Sequence, residues 1–300
     1  MTRMTRMALY VALAGALLTP VLSQAEVSCT RGGLQQAVDL YIAAQTKGET
    51  SGLPLAKGVG YWENTAATDM RQGLISKPMK IDHHRSFLDT DTCQSITEVI
   101  VTDKAAPYVF STRLRVNHDK IVEIEMLWTT TGYWLFSADD YLKYSSAENW
   151  DPLPADKRSS RGTLVAAANA YLDAFLEKRI DLVPWGFPCV RVEGGRGYTG
   201  KGLASDSCEV GVPAGVNIAN RRFVVDEVLG TVSVYCTFGA GGPGGGSGAP
   251  DSHLFRVENG KLRYVHTLTH LLQANYRGGA GGGGNGNGGN AGAGGNAKAP

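Results

Sequence analysis

The 300-residue sequence has almost no net charge, since 29 basic residues face 28 acidic ones, and it contains no run of basic residues. Proteins that bind the nucleic-acid backbone carry a basic surface, so we expect no nucleic-acid partner. Long apolar runs are also scarce. The only candidate, residues 7–18, is too short to cross a bilayer, and we expect no membrane span.

The five cysteines form no CxxC pair, and this absence argues against the common structural zinc sites. All five lie after the apolar N-terminal run, in the part of the chain that would be exported. An oxidising compartment favours disulfide bonds between them. The sequence does not fix their connectivity. We favour Cys29 with Cys93 and Cys189 with Cys208, which leaves Cys236 unpaired.

Both ends of the chain lack the apolar residues of a folded core. Arg3 and Arg6, the apolar run and a small-residue site at 23–25 are typical of a signal peptide, which we assign to residues 1–25. A periplasmic or secreted location follows. Residues 278–300 are glycine, asparagine and alanine with one lysine and one proline, and we expect a disordered tail there.

The remaining chain divides into two units, 26–150 and 151–277, in which the predicted helices and strands follow the same order. Each unit opens with helical periodicity and continues with short strands and a long hairpin. Matching strings support the duplication: DTC at 91–93 with DSC at 206–208, and RVNHDKI at 115–121 with RVENGKL at 256–262. This order predicts an α+β fold in which curved antiparallel sheets wrap on helices and enclose a pocket.

The segment EGGRGYTGKG at 193–202 has the glycine spacing of a dinucleotide loop. Such a loop must start a helix whose N–H groups bind phosphate, and the following residues lack helical periodicity. We therefore predict a tight connection near a pocket mouth, with no cofactor.

Polar side chains concentrate at 82–85. Alternation along a strand places Asp82 and His84 on one face, and His83 and Arg85 on the other. An adjacent acid and histidine can act as an acid–base pair, although a solvated strand edge explains the pattern equally well. A metal site with Glu63 is disfavoured, because neighbouring histidines point to opposite faces.

Other candidates lie in the hairpins or beside the connection that ends at Gly73 in the first unit and near Gly202 in the second. Tyr61 and Tyr198 are our pocket tyrosines. Arg113 is a candidate anion anchor, although cross-strand pairing with Glu123 and Glu125 is the simpler interpretation. Alternation places Leu262, Tyr264, His266 and Leu268 on one face, and a histidine with such apolar neighbours is more typical of a core residue.

At DHHRSFLDTDTC, PWGFPCVRVEGG, YTGKG, RRFVVDE and PDSHLFRVENGKLRYVHTLT, the chain resembles secreted proteins with a duplicated NTF2-like (SnoaL-like) domain. Within that superfamily it is also similar to sphingomonad diarylpropane and phenylcoumaran lyases. The first resemblance implies two cone-shaped units in one chain. The second implies cofactor-independent release of formaldehyde from a lignin-derived aromatic dimer, with formation of a stilbene.

We combine these expectations in one hypothesis. The acid–base residues are Asp82 and His84, with Tyr61 or Tyr198 as proton donor. The substrate-binding residues are Arg85, Arg113, His83 and Glu63. The alternatives are a periplasmic module that binds an aromatic molecule without catalysis, and a surface protein tethered by its tail. Homodimer formation stays open.

Overall fold

The structure, a computed structural model, describes residues 27–209, 212, 214–241 and 247–275. The predicted signal peptide, the predicted tail and the centre of the glycine-rich loop at 239–250 lie outside these residues. None of the helices in the described ranges has the length and apolar character needed to cross a membrane.

The first half is one long helix and a six-stranded sheet. Its elements are α1 (Arg31–Lys47), β1 (Leu55–Glu63), β2 (Ala66–Ala67), β3 (His83–Asp89), β4 (Gln94–Val101), β5 (Tyr108–Asn117) and β6 (Lys120–Thr130). Thr30 caps the start of α1 by accepting a hydrogen bond from the Gly33 N–H, and Gly48 ends it with a φ of 69°. The helix buries Leu34 and Tyr41.

The second half repeats this plan after a linker that contains a short helix. The linker helix is α2 (Ala138–Ser145). The elements of the second half are α3 (Arg161–Glu177), β7 (Trp185–Glu193), β8 (Gly197–Tyr198), β9 (Ile218–Asp226), β10 (Thr231–Phe238), β11 (Ala249–Glu258) and β12 (Lys261–Thr269). Ser160 caps α3 by accepting from the Thr163 N–H, and the helix buries Leu164 and Tyr171. The two long helices have the same length, 17 residues.

The two sheets have the same topology, in the orders β2-β1-β6-β5-β4-β3 and β8-β7-β12-β11-β10-β9. Their registers match: Asp89 lies opposite Gln94 as Asp226 lies opposite Thr231. This architecture is α+β and consistent with a duplicated domain. The sheets are mixed rather than wholly antiparallel, because β1 runs parallel to β6 and β7 runs parallel to β12.

The molecule has four layers. The first helix packs on one face of the first sheet around Tyr41 and Leu114, and the third helix packs on one face of the second sheet around Tyr171 and Phe255. A third cluster, which includes Tyr235, fills the space between the two remaining sheet faces. The interior between the sheets is therefore shared by both halves.

Two reciprocal ion pairs connect the halves. Arg31, the first residue of α1, bonds to Asp226 at 2.8 Å, and Arg161, the first residue of α3, bonds to Asp89 at 2.8 Å. Each carboxylate also accepts a backbone N–H from the other half, at 3.0 and 2.9 Å. Equivalent residues thus make equivalent contacts, as they would across the two-fold axis of a dimer.

The predicted disulfides are confirmed: Cys29 is bonded to Cys93, and Cys189 to Cys208. Cys236 is free and buried. Cross-links of this kind persist in oxidising compartments and fit an extracellular protein.

One alternation inferred from the sequence is interrupted. Leu262 belongs to the core beneath α3, whereas Tyr264 and Leu268 face the space between the sheets. The pairing of β12 shifts register between Leu262 and Tyr264. A bulge of this kind reverses the side-chain faces on either side of it, so simple alternation placed Leu262 on the wrong face.

Candidate functional site

Tyr61 and Glu63 lie together in the first half. Tyr61 donates a hydrogen bond to Glu63 Oε1, and Glu63 Oε2 accepts from Trp128 Nε1 at 2.9 Å. The Leu74 N–H also bonds to Glu63. Burial and the Glu63 carboxylate raise the pKa of Tyr61. This network joins β1 to β6 and to the segment after β2, and both side chains are fully engaged.

Asp82 and His84 lie at the edge of the first sheet. Asp82 accepts hydrogen bonds from the Thr102 N–H at 2.7 Å and from the Thr102 hydroxyl at 2.8 Å, and these contacts lower its pKa. The side chain of His84 is exposed. Among the described residues, no hydrogen bond joins Asp82 to His84.

Arg113 lies at a different place, between the sheets. It bonds to Glu125 Oε2 at 2.8 Å and to Glu123, the cross-strand pairing that alternation along the hairpin favours. Arg222 from the second half binds the same Glu125 through two contacts of 2.6 Å. Glu125 therefore connects two guanidinium groups from different halves.

Arg85, His83 and Tyr198 approach one cluster, which we call the His266 cluster. Its members are Glu98 on β4, Tyr141 on α2, Glu148 and Trp150 in the linker, and His266 on β12. Both oxygens of Glu98 lie 3.1 Å from His266 Nδ1, and Glu148 Oε2 lies 2.7 Å from His266 Nε2.

Two further hydrogen bonds hold the carboxylates of the His266 cluster. Tyr141 donates to Glu98 Oε1 at 2.6 Å, and Trp150 Nε1 donates to Glu148 Oε2 at 2.9 Å. Burial alone would lower the pKa of His266, but the Glu148 and Glu98 carboxylates raise it to about 10. At neutral pH the ring is an imidazolium that both carboxylates contact.

Arg85 completes the charge balance of the cluster. Its guanidinium lies 4.8 Å over the Trp150 ring and donates to the Ser145 hydroxyl and carbonyl at 3.0 Å each. Two cations thus accompany two carboxylates. His83 lies on the same face of β3, and its Nε2 is buried without a hydrogen-bond partner. Burial, followed by the charge of Arg85, lowers the pKa of His83.

Aromatic rings cover the outer end of the cluster. Tyr144 and Tyr198 are stacked, with 3.6 Å between ring centroids and an interplanar angle of 2°. The Tyr198 side chain is 36% exposed. Tyr264 lies 5.3 Å from Trp150, and the guanidinium of Arg263 lies 4.2 Å over the Tyr264 ring.

Two polar atoms at this outer end are buried without a hydrogen-bond partner: Glu148 Oε1 and Arg263 Nη1. Such atoms are costly unless a further group satisfies them. Burial and the Glu148 carboxylate raise the pKa of Tyr198, so its phenol is protonated at neutral pH. The Glu148 carboxylate therefore lies near the exposed Tyr198 phenol, and the Arg263 guanidinium lies over the neighbouring Tyr264 ring.

The inner end of the cluster borders a cavity of about 10 Å³, lined by Glu98, Tyr141 and His266 among others. This volume holds about one water molecule, so a substrate could approach only from the outer end. A wider groove of about 480 Å³ lies near the start of α2, where Lys104 and Arg196 line it, and none of the predicted site residues borders it.

The glycine segment forms the β7–β8 hairpin and packs on the linker. Gly194 and Gly195 have φ values of 58° and 106°. A Cβ at Gly195 would lie 2.1 Å from the Ser137 carbonyl, so close packing and backbone angle both require glycine. Residues 203–209, which follow the segment, contain no helix, whereas a dinucleotide loop must lead directly into one.

One set of side chains in the described residues has the composition of a metal site. Cys236, Asp251 and His253 are buried, and one ligand atom from each lies within 4.8 Å of the others. They lie on the face of the second sheet that α3 covers, away from the His266 cluster.

Comparison with known proteins finds a family match in the second half. A family described as a domain of unknown function (DUF8021) matches residues 157–269. The match runs from the residues before α3 to the end of β12. No curated protein matches the chain.

The sequence contains weak signals for the residues that prediction missed. Glu148 and Trp150 stand in a polar linker, where no periodicity shows that they point inward. Glu98 occurs among apolar residues of β4, and a buried carboxylate in such a strand indicates a charged partner. The partner, His266, lies 168 positions away, and only the packing of the two sheets brings them together.

Proposed function

We propose that the protein acts on an aromatic small molecule that binds at the outer end of the His266 cluster. The observation that carries this proposal is the exposed Tyr198 ring near the Glu148 carboxylate, with Arg263 over the neighbouring Tyr264 ring. Glu148 Oε1 and Arg263 Nη1 have no hydrogen-bond partner. An aryl group can stack on the ring, while a hydroxyl and a phenolate satisfy the carboxylate and the guanidinium.

The reaction that suits these groups is carbon–carbon bond cleavage without a cofactor, in which a lignin-derived dimer loses formaldehyde and becomes a stilbene. Glu148 takes the proton of the substrate's terminal hydroxymethyl group. The electron pair of that O–H bond then forms the C=O bond of formaldehyde. The electrons of the broken C–C bond form the stilbene C=C bond. The benzylic C–O electrons leave with oxygen, which receives the Tyr198 proton.

The surrounding residues would support this chemistry by position and charge. Arg263 and Arg85 favour negative charge on the phenol of the substrate. His266, held as an imidazolium, orients Glu148 through the 2.7 Å contact. A proton passed from Glu148 back to Tyr198 restores the starting state, so the cycle needs no oxidant or reductant.

The second candidate function is binding without catalysis. It is favoured by the completeness of the inner contacts, since Glu98 and His266 are both saturated by partners within the protein. A rigid, satisfied cluster beneath an aromatic surface is what a periplasmic binding module requires. The NTF2-like assignment, export through the N-terminal signal and homodimer formation belong to this proposal as well.

The test is incubation of purified, metal-free protein with a panel of lignin-type dimers, following formaldehyde and stilbene absorbance together. We expect Glu148→Gln and Tyr198→Phe each to lower kcat by about 10²-fold or more, the usual contribution of a positioned acid or base. His84→Gln is the matched control, because His84 is exposed at the sheet edge.

The outcomes separate the alternatives. Equimolar formaldehyde and stilbene, lost in both variants and retained in the control, support the lyase. Loss in His84→Gln with retention in Glu148→Gln would instead return the acid–base role to Asp82 and His84. Quenching of tryptophan fluorescence by the dimers without product supports the binding module, and neither binding nor product would overturn both functions.

A further inference from the structure

Cys236, Asp251 and His253 form a compact group beneath α3. Cys236 lies on β10 directly opposite Asp251 on β11, and His253 follows two residues later on the same face. Cys236 Sγ lies 3.6 Å from Asp251 Oδ2 and 3.9 Å from His253 Nδ1. Asp251 Oδ2 lies 3.1 Å from His253 Nδ1.

These separations agree with the edges of a tetrahedron around one zinc ion. Zinc lies about 2.0–2.3 Å from nitrogen, oxygen and sulfur ligands, which places neighbouring ligand atoms roughly 3.3–3.6 Å apart. The Cys236–Asp251 separation of 3.6 Å lies within this range, and the other two, 3.9 and 3.1 Å, differ from it by about 0.3 and 0.2 Å. The ligand types, a thiolate, an imidazole and a carboxylate, are those that zinc prefers.

The geometry disfavours a catalytic relay of cysteine, histidine and aspartate. In such a relay the histidine contacts the nucleophile with one ring nitrogen and the acid with the other. Here Cys236 and Asp251 both approach His253 Nδ1. Convergence of three ligand atoms on one point is the arrangement that an ion produces.

The surroundings supply what a bound ion needs. The side chains of Asp251 and His253 are 0% and 3% exposed, and burial of this kind excludes the water that would compete with them for a bound ion. Asp251 Oδ1 accepts a hydrogen bond from the Thr269 hydroxyl at 2.9 Å, which orients the carboxylate and directs Oδ2 toward the other two ligands.

The first half serves as an internal reference. By register, Val99, Phe110 and Thr112 occupy the places of Cys236, Asp251 and His253. In the first half, Tyr41 of α1 bonds to Thr112 at 2.6 Å. The equivalent Tyr171 of α3 lies 5.7 Å, centroid to centroid, from the His253 ring, and its hydroxyl lies beside Arg191.

We propose that the second half binds one zinc ion through Cys236, Asp251 and His253. Three protein ligands leave a fourth position, which is the arrangement of a site that keeps a water or a small ligand. The site is separate from the His266 cluster, and the proposed lyase chemistry does not involve it.

The experiment uses the full chain without a histidine tag, treated with chelator and then dialysed against zinc or cobalt. We expect one zinc per chain by elemental analysis, and a thiolate-to-metal charge-transfer band with cobalt. Zinc should also raise the melting temperature, because binding favours the folded state. Cys236→Ser and His253→Gln should lose the band and the bound zinc, whereas His84→Gln should retain both.

Folded protein that retains no zinc would overturn the proposal, as would stoichiometric zinc in a folded Cys236→Ser/His253→Gln double variant. Should either single variant fail to fold, alkylation of the unmodified protein gives the same decision. Zinc must slow the reaction of the Cys236 thiol relative to the metal-free protein, and equal rates would contradict the site. Because lyase activity is assayed in metal-free protein and zinc binding is measured without substrate, either proposal can fail without the other.

Discussion

The two halves share a topology and a register, yet they use equivalent positions on the helix-covered sheet face in opposite ways. In the first half, Val99 and Phe110 pack as apolar residues beneath α1. In the second, Cys236 and Asp251 occupy the same places beneath α3. The fold tolerates both solutions because the surrounding helix and sheet carry the packing.

The faces between the sheets differ in the same manner. Glu125 in the first half is bound by Arg113 and Arg222, whose charges do not change near neutral pH. The equivalent residue in the second half is His266, which two carboxylates hold as a cation. One framework thus carries two sets of charges, and of these two equivalent residues the one in the second half is a cation held by carboxylates.

The largest expected effect tests the symmetry itself. Asp89→Ala or Asp226→Ala removes a buried carboxylate that accepts an arginine and backbone N–H groups from the other half. We expect each change to reduce the free energy of unfolding by about 4 kcal/mol, since buried donors lose their acceptor. Urea unfolding measures both values.

Because Asp89 and Asp226 make equivalent contacts, the two losses can also be compared with each other. Equivalent contacts should give nearly equal losses, with exposed Asp103→Ala as a control that changes stability by less than about 0.5 kcal/mol. A loss below about 1 kcal/mol for either aspartate would show that the reciprocal contacts do not hold the halves together.

Helical periodicity and turn residues were sufficient to predict α1, α3 and the long hairpins, because these elements depend on local patterns. The two favoured disulfides are confirmed, although the sequence left their connectivity open. The helix α2 escaped prediction, since eight residues in a polar linker give little periodicity.

The candidate site was harder to predict for a physical reason. Strand alternation identifies which side chains share a face, and it correctly grouped His83 with Arg85. It does not reveal that this face of the first sheet packs against the second sheet. Glu98 and His266 meet only through that packing, so their contact depends on tertiary structure that no local pattern encodes.

The second prediction concerns pH. The folded-state pKa of His266 is raised from 6.5 to about 10, so the folded protein binds this proton more tightly than the unfolded chain. The resulting stability is fully present below about pH 6.5 and disappears as pH rises to about 10. We expect a loss of about 2–4 kcal/mol across this window, measured by urea unfolding at several pH values.

His266→Gln should remove most of this pH dependence, although it lowers stability at pH 6 by leaving Glu98 and Glu148 without their cation. Glu125→Gln is the matched variant at the equivalent position of the first half. It should lower stability by a similar amount at pH 6 and at pH 9, because its arginine partners stay charged. An unchanged pH profile in His266→Gln would contradict the assignment.

The smallest effect compares the helix tyrosines. Tyr41→Phe removes the 2.6 Å bond to Thr112 and should cost about 1 kcal/mol. The Tyr171 hydroxyl lies beside the buried Arg191 guanidinium without an aligned hydrogen bond, so Tyr171→Phe should cost less than Tyr41→Phe. Both side chains are fully buried, which makes the pair a close control for ring packing. Equal losses from thermal unfolding would mean that Tyr171 does make a hydrogen bond, and the two halves would then be alike beneath their helices.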